Sequence, residues 1–189
     1  MKNMTELYQK VEQFVSESFG KAGKASSVKH FERTVYWVQQ LKPDADEALL
    51  IATIAHDIER AFGDPGHSEI AEKGFRDEKY LTYHQERGAE IIADFLQQQS
   101  ADEKLIKRVK MLISKHEVGG DIDQDVLRDA DSVSFFENNA DHFVTQFAPK
   151  FGKEKVKDKF NWMFNRISDE KAKKIALPWY KEAIKQLGC

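Results

Sequence analysis

Apolar residues recur along this chain at intervals of three and four, and no stretch alternates as a surface strand would. Leu7, Val11, Phe14, Val15 and Phe19 form one stripe, ended by Gly20 and a loop at Gly23. Val28, Phe31, Val35, Val38 and Leu41 form the next, with Ser26 or Ser27 placed to cap it. Pro43 and Asp44 open a third segment, Leu49-Leu50-Ile51-Ala52-Thr53-Ile54-Ala55, which has no polar face and so predicts a helix buried on nearly all sides. It ends abruptly in His56-Asp57-Ile58-Glu59-Arg60.

The turn-rich Phe62-Gly63-Asp64-Pro65-Gly66-His67-Ser68 follows, then a short helix through Ala71 and Phe75. Thr82 with Gln85, and Ser100 with Glu103, fit capping boxes. They precede stripes at Ala89, Ile92 and Leu96 and at Leu105, Val109 and Leu112. Gly119-Gly120 is expected to stop the second of these helices. Val126 to Phe136 gives another helix, and Val156, Phe160, Met163, Phe164 and Ile167 face inward on an amphipathic one with its lysines outward. Ser168 can cap a last helix, which Pro178 is expected to kink or interrupt. The pattern predicts an all-α, single-domain helical bundle spanning residues 1–189, with no repeat or linker to divide it.

Composition narrows the function classes. Hydrophobic residues make up 41% and charged residues 32% of 189, the balance of an ordinary globular chain. A net charge of −3 gives no general basic field, so no nucleic acid polymer is expected as a partner, and an anionic ligand must meet locally placed cations. No apolar run approaches a membrane span, so no membrane partner is expected either. The single cysteine, Cys189, leaves no disulfide and no thiolate metal site, which with a polar N-terminus fits a cytoplasmic protein.

Histidine placement changes the picture most. A single His beside an apolar stripe is usually structural. Here His30, His56, His84 and His116 fall on or beside the inward faces of four successive long helices, and Asp129 and Asp131 lie on a fifth. Helical bundles build metal sites this way, with ligands projecting inward from facing helices. His and Asp adjacent at the end of so apolar a helix also need something to neutralise them, for which a metal ion is suited.

The local segments carry a resemblance. His30-Phe31-Glu32-Arg33 looks like the His-x-x-Arg motif of the HD-domain superfamily of metal-dependent phosphohydrolases, and Ile54-Ala55-His56-Asp57-Ile58 resembles its signature doublet. His84-Gln85-Glu86-Arg87-Gly88-Ala89 is similar to the His-x-x-x-Gly-Ala segment of two-metal members, and Asp129-Ala130-Asp131-Ser132-Val133 to the closing Ala-Asp segment. The resemblance covers about residues 26 to 136, leaving an N-terminal helix (1–25) and C-terminal helices (137–189) outside it. No chemistry is expected of the last two helices, the amphipathic one from Lys153 to Ile167 and the one after Ser168, whose aromatics read as core or as the wall of a pocket.

By resemblance, His30, His56, Asp57 and Asp131 would hold a first metal. His84 and His116 would add a second, with Asp57 bridging and Asp129 the alternative to Asp131. The cofactor implied is one or two divalent ions per chain, drawn from Mn, Fe, Co, Ni, Mg or Zn. Two such ions about 3.5–4 Å apart activate a water for attack on phosphorus. The implied fold is an HD-type helical bundle, and the implied partner is a small phosphorylated, nucleotide-like substrate. Asp57, Arg60 and Lys115 are the candidate catalytic groups. Arg33, Arg60, Arg87 and Lys115 lie within a turn of ligand candidates and are candidate substrate-binding cations. Glu59, Asp64 and His67 are candidate acids for the leaving group. Arg60 stands where two-metal phosphodiesterase members often carry Lys, which argues against cyclic dinucleotides. The same six ligands also resemble HD-type diiron oxygenases, and a non-catalytic ligand-binding regulatory module is the third reading. Asp121-Ile122-Asp123-Gln124-Asp125 only mimics an EF-hand, because Val126 and Ser132 replace the required Gly and Glu. It reads as an acidic loop and helix start.

Overall fold

The computed structural model describes residues 4–63 and 77–188, and these are helical with short connections and no strand. Asp64, His67, the short helix expected through Ala71 and Phe75, and Cys189 lie outside the described residues. The helices are α1 (Glu6–Lys21), α2 (Val28–Leu41), α3 (Glu47–Ala55), α4 (Glu78–Gln98), α5 (Glu103–Ile113) and α6 (Ile122–Asn138). A helical segment, α7, then covers 140–151 and contains a π-helical turn at Phe143–Phe147. The last two are α8 (Lys153–Asn165) and α9 (Glu170–Gln186). Among the described residues no helix is long and apolar enough to cross a membrane.

Every residue of α3 from Ala48 to Ala55 is buried, as its lack of a polar face predicts. It packs against α1, α2 and α5. These helices, with α4 and the first half of α6, enclose one apolar core that contains Val15, Phe31, Ile54, Ile92, Leu112 and Leu127. A second core joins Val133 and Phe136 of α6 to Val156, Phe160 and Met163 of α8 and Ala176 of α9. Helix α6 is therefore shared: Leu127 and Ala130 face the first core, Val133, Phe135 and Phe136 the second. Asp131, Ser132 and Ser134, all buried polar residues, sit at the changeover.

Four helix starts depart from the sequence reading, and each is capped by an aspartate. The helix bearing His84 begins at Glu78, where Asp77 accepts a hydrogen bond from Tyr80 N, so Thr82 lies inside the helix and caps nothing. Burial of Tyr80 and Leu81 extends the helix by a turn beyond the expected box. Asp46, Asp102 and Asp169 cap α3, α5 and α9 in place of Pro43-Asp44, Ser100 and Ser168. Ser27 stands at the start of α2 without a side-chain cap, because a 3-10 turn at Ala25–Ser27 leads into it. A carboxylate both accepts the free amide hydrogens and answers the positive end of the helix dipole, which a hydroxyl does only in part. Asp121 makes a full capping box with Gln124, as the acidic-start reading of that loop requires. Pro178 does not interrupt α9; it lies on the exposed side, where water can meet the carbonyl its ring leaves unbonded. Helix α5 ends at Ile113, a turn before the glycines, and turns carry the chain on through His116 to Gly119.

Candidate functional site

Four histidines converge between the helices, and their outward nitrogens are all engaged. His56 Nδ1 donates to Thr53 O at 2.8 Å and His116 Nδ1 to Ile113 O at 2.7 Å, each bonding back into the turn that carries it. His84 Nδ1 lies 2.7 Å from Glu59 Oε2. His30 Nδ1 lies 2.9 Å from Ser134 Oγ, whose own hydrogen is donated to His30 O at 2.8 Å, so Ser134 must accept from the ring. These partners assign the proton to Nδ1 in all four rings and turn each Nε2 inward as a lone-pair donor. Metal-binding histidines are held in this manner by the groups behind them.

The inward atoms meet two carboxylates. Asp131 Oδ1 is 3.0 Å from His30 Nε2 and 3.4 Å from His56 Nε2. Asp57 Oδ1 is 2.9 Å from His84 Nε2 and 3.9 Å from His116 Nε2. Ligand atoms of His30, His56 and Asp57 lie within 4.8 Å of one another, as do those of Asp57, His84 and His116. Asp57 is common to both groups. Metal–ligand bonds of about 2.0–2.2 Å place neighbouring donor atoms about 3–3.5 Å apart, a scale that three of these four separations meet and the His116 one exceeds. His56 Nε2 and His116 Nε2 are buried without a hydrogen-bond partner, a costly state that an ion would relieve. The donor set therefore fits divalent metal.

Electrostatics agree. Burial pushes the His56 imidazole down, but Asp57 and Asp131 outweigh it and raise it to about 9. Burial and Arg60 likewise push His84 down, and hydrogen bonds to Asp57 and Glu59 raise it overall. In His116 burial wins, with His56 and His84 adding to it against the pull of Glu117, and the ring falls to about 4. Without a metal, then, the carboxylates collect protons on His56 and His84 in place of metal charge. Burial pushes the Asp57 and Asp131 carboxyls up, yet Arg60 and His56 hold the first, and Arg166 and His30 the second, well below the usual carboxylate range.

The sequence-predicted site residues fall into two groups. His30, His56, Asp57, His84, His116 and Asp131 come together. Arg60 joins them, its Nε 2.9 Å from Asp57 Oδ2, and lines the adjoining cleft. The other expected cations do not reach it. Arg33 forks onto Glu137, with Nε and Nη2 at 2.9 and 2.7 Å, and covers the Tyr36 ring. Arg87 is exposed 3.5 Å from Glu90, and Lys115 is exposed. Both sit on the outward sides of turns whose inward sides hold His84 and His116. Glu59 is not a free acid, because it is buried and accepts from His84. Asp129 points away: it accepts from Ser168 N, Ser168 Oγ and Asp169 N and from Arg128 Nη2, fastening the start of α9.

Two basic groups from α8 and its C-terminal end complete the site against expectation. The buried Arg166 guanidinium donates to Asp131 Oδ2, to Glu117 Oε2 and, at 2.8 Å, to Ser132 Oγ. Lys159 is buried and lines the same cleft. Their spacing carried a signal, since Lys159 lies three residues after Val156 and four before Met163, on the apolar stripe itself, and Arg166 follows Met163 by three. Glu117, next to His116 and just as buried, was also missed. The cleft measures about 890 Å³ and runs from His30, Asp57 and Asp131 past Glu117 to Phe143, Phe147 and Phe151 of α7. Those aromatics form part of the pocket wall.

A family model described as "Domain of unknown function (DUF4202)" matches residues 10–187. No curated protein matches the chain. A solved structure of a predicted HD superfamily hydrolase from an uncultured Thermotogales bacterium matches with a TM-score of 0.58 and 20% identity, covering 94% of this chain and 87% of that one. At that identity the likeness is one of fold, and the fold is the HD-type helical bundle.

Proposed function

This chain belongs to the DUF4202 family, and we propose that it is a metal-dependent phosphohydrolase acting on a phosphoester of a nucleotide or related small metabolite. One observation carries the reading. Four histidine Nε2 atoms, each fixed from behind, form two groups of three that share Asp57, beside a large cleft that His30, Asp57 and Asp131 line. The likeness in fold to a predicted HD superfamily hydrolase supports it.

Charge supports an anionic substrate. Asp57, Glu59, Glu117 and Asp131 set four carboxylates against the three cations Arg60, Lys159 and Arg166, one negative charge in excess with neutral histidines. Two divalent ions would leave the site strongly positive, and a phosphate ester would balance it. Bound in the two overlapping groups, the ions would activate water and screen the phosphoryl oxygens. The chain's own contributions are positional. Thr53, Ile113, Glu59 and Ser134 aim the rings, Arg60 and Arg166 hold the outer oxygens of Asp57 and Asp131, and the apolar cores behind exclude water from the far side.

The test is metal analysis on protein purified without chelator, followed by a panel of phosphomonoesters, with Asp57→Ala as control. One or two metals per chain and phosphate release that Asp57→Ala abolishes would support the reading. Bound iron with substrate-dependent O₂ consumption and no phosphate release would replace it with the oxygenase. Absence of metal binding at any supplied concentration would leave a ligand-binding module.

A further inference from the structure

Each carboxylate that lines the cleft is already held. Arg166 takes Glu117 and Asp131, and Arg60 lies against Asp57. Lys24, another cleft residue, spends a hydrogen bond of 2.7 Å on Arg60 O. Lys159 is different. It is only 9% exposed, yet among the described residues its ammonium makes no hydrogen bond and no ion pair. Its contacts are the faces of Trp162, 4.5 Å to the ring centroid, and Phe135, 5.7 Å.

Ring faces attract an ammonium but do not accept its hydrogens as oxygen does. A buried charge with three donors and no acceptor is normally selected against. Burial accordingly pushes the Lys159 ammonium down to about 8, with the pull of Glu117 only partly offsetting it. The aromatic pair holds the four-carbon stem in place while the head opens on the cleft that Asp57, Asp131 and His30 also line. The arrangement leaves one cation fixed in position, largely buried and open to the space next to the candidate metal ligands.

We propose that Lys159 is the substrate-anchoring cation of this cleft, receiving the anionic oxygens of the phosphoryl group. The assignment rests on the phosphohydrolase reading and adds a residue that lies outside the histidine–aspartate motif. It also explains why Arg33, Arg87 and Lys115 can point elsewhere.

The test uses the metal-loaded full chain, with inorganic phosphate as the probe in isothermal titration. Lys159→Met keeps the stem and removes the charge; Lys159→Arg keeps both. The expected result is phosphate affinity at least 10-fold weaker in Lys159→Met and within a few-fold of wild type in Lys159→Arg, with metal content per chain unchanged in both. Equal affinity in wild type and Lys159→Met, at equal metal content, overturns the assignment and leaves the hydrolase reading standing. A wild-type protein that binds metal but neither phosphate nor any phosphoester sinks both. Should Lys159→Met fail to fold, reductive methylation of the wild type mapped by mass spectrometry decides. Phosphate is expected to protect Lys159 and not the exposed Lys107, and absence of protection overturns the assignment.

Discussion

Arg166 reaches back across 35 residues of sequence to hold Asp131 Oδ2, which leaves Asp131 Oδ1 3.0 Å from His30 Nε2 and 3.4 Å from His56 Nε2. The guanidinium thus decides which carboxylate oxygen is presented to the histidines. Losing a partner behind a metal ligand typically costs about 10–100-fold in metal affinity or activity. Arg166→Met is expected to weaken binding of one metal by that order while His84 and His116 retain the other. Competition titration with a chromogenic chelator measures both affinities. Equal affinities in variant and wild type would show that Asp131 is held without help.

Asp57 is the candidate ligand shared by both groups of three, and His116 belongs to only one. Asp57→Ala is therefore expected to empty the whole site and His116→Ala to remove a single ion. Elemental analysis against protein concentration reads this directly. Full metal content in Asp57→Ala would defeat the ligand assignment.

Asp129 and Asp131 are two residues apart and are expected to fail in different ways. Asp129 is buried against Arg128 and accepts the amide hydrogens of Ser168 and Asp169. Breaking a buried, hydrogen-bonded ion pair on one side costs about 3–5 kcal/mol. In a chain of this size that lowers the melting temperature by roughly 6–20 °C. Asp129→Ala is expected to melt early yet bind metal while folded, whereas Asp131→Ala, which breaks the buried pair with Arg166, loses metal as well as stability. Calorimetry paired with metal analysis separates them.

Protonation of the metal-free site has a definite sign. His56 is raised to about 9, and His84 is raised as well, both above the unfolded value of about 6.5. Their stabilising contribution is full below about pH 6.5 and fades as pH climbs toward the folded value. His116, lowered to about 4, acts only below that window, and Lys159, lowered to about 8, only above it. Metal requires neutral imidazole, so its contribution grows over the same range. Between about pH 6.5 and 8 the melting temperature of metal-free protein should fall, and the gap to the loaded protein should widen. A gap that narrows would contradict the assignment of His56 and His84.

Gly88, part of the His-x-x-x-Gly-Ala segment, packs where α4 meets the turn bearing Glu59. A Cβ there would sit 3.5 Å from His56 O and 3.6 Å from Ile113 Cγ2, ordinary contact distances. Glycine inside a helix costs about 0.8–1.0 kcal/mol relative to alanine. Gly88→Ala is thus expected to match or modestly exceed the wild type in stability, with metal content unchanged. Urea denaturation measures the difference.

The helical pattern and the inward placing of His30, His56, His84 and His116 were legible because each signal is local, whereas Asp131 was preferred to Asp129 only through the resemblance. Apolar spacing sets the inward face, and each ligand candidate sits on or beside it. The cations were harder. Arg33, Arg87 and Lys115 are near the ligands along the chain but turn outward, a matter of one residue's rotation on a helix. Lys159 and Arg166 are far along the chain and sit on the inward stripe of α8 and its end, where the eye accepts a lysine as surface. Which cation faces a cleft is settled by packing between helices, and no single window of sequence contains that information. The same holds for caps: Thr82 and Ser100 match a motif, but Asp77, beside the buried Tyr80 and Leu81, caps one helix and Asp102 caps the other.

The contribution of α8 also sets an order in time. A polypeptide emerging from the ribosome N-terminus first displays His30, His56, Asp57, His84, His116 and Asp131 before Lys159 and Arg166 exist. Until those last residues dock, Glu117 and Asp131 lack the guanidinium that orients them, and the second apolar core has no α8 to close it. The growing chain thus carries every candidate ligand before the cations that orient them. A truncation before Lys159 would therefore take away both cations while leaving the whole histidine–aspartate signature in place.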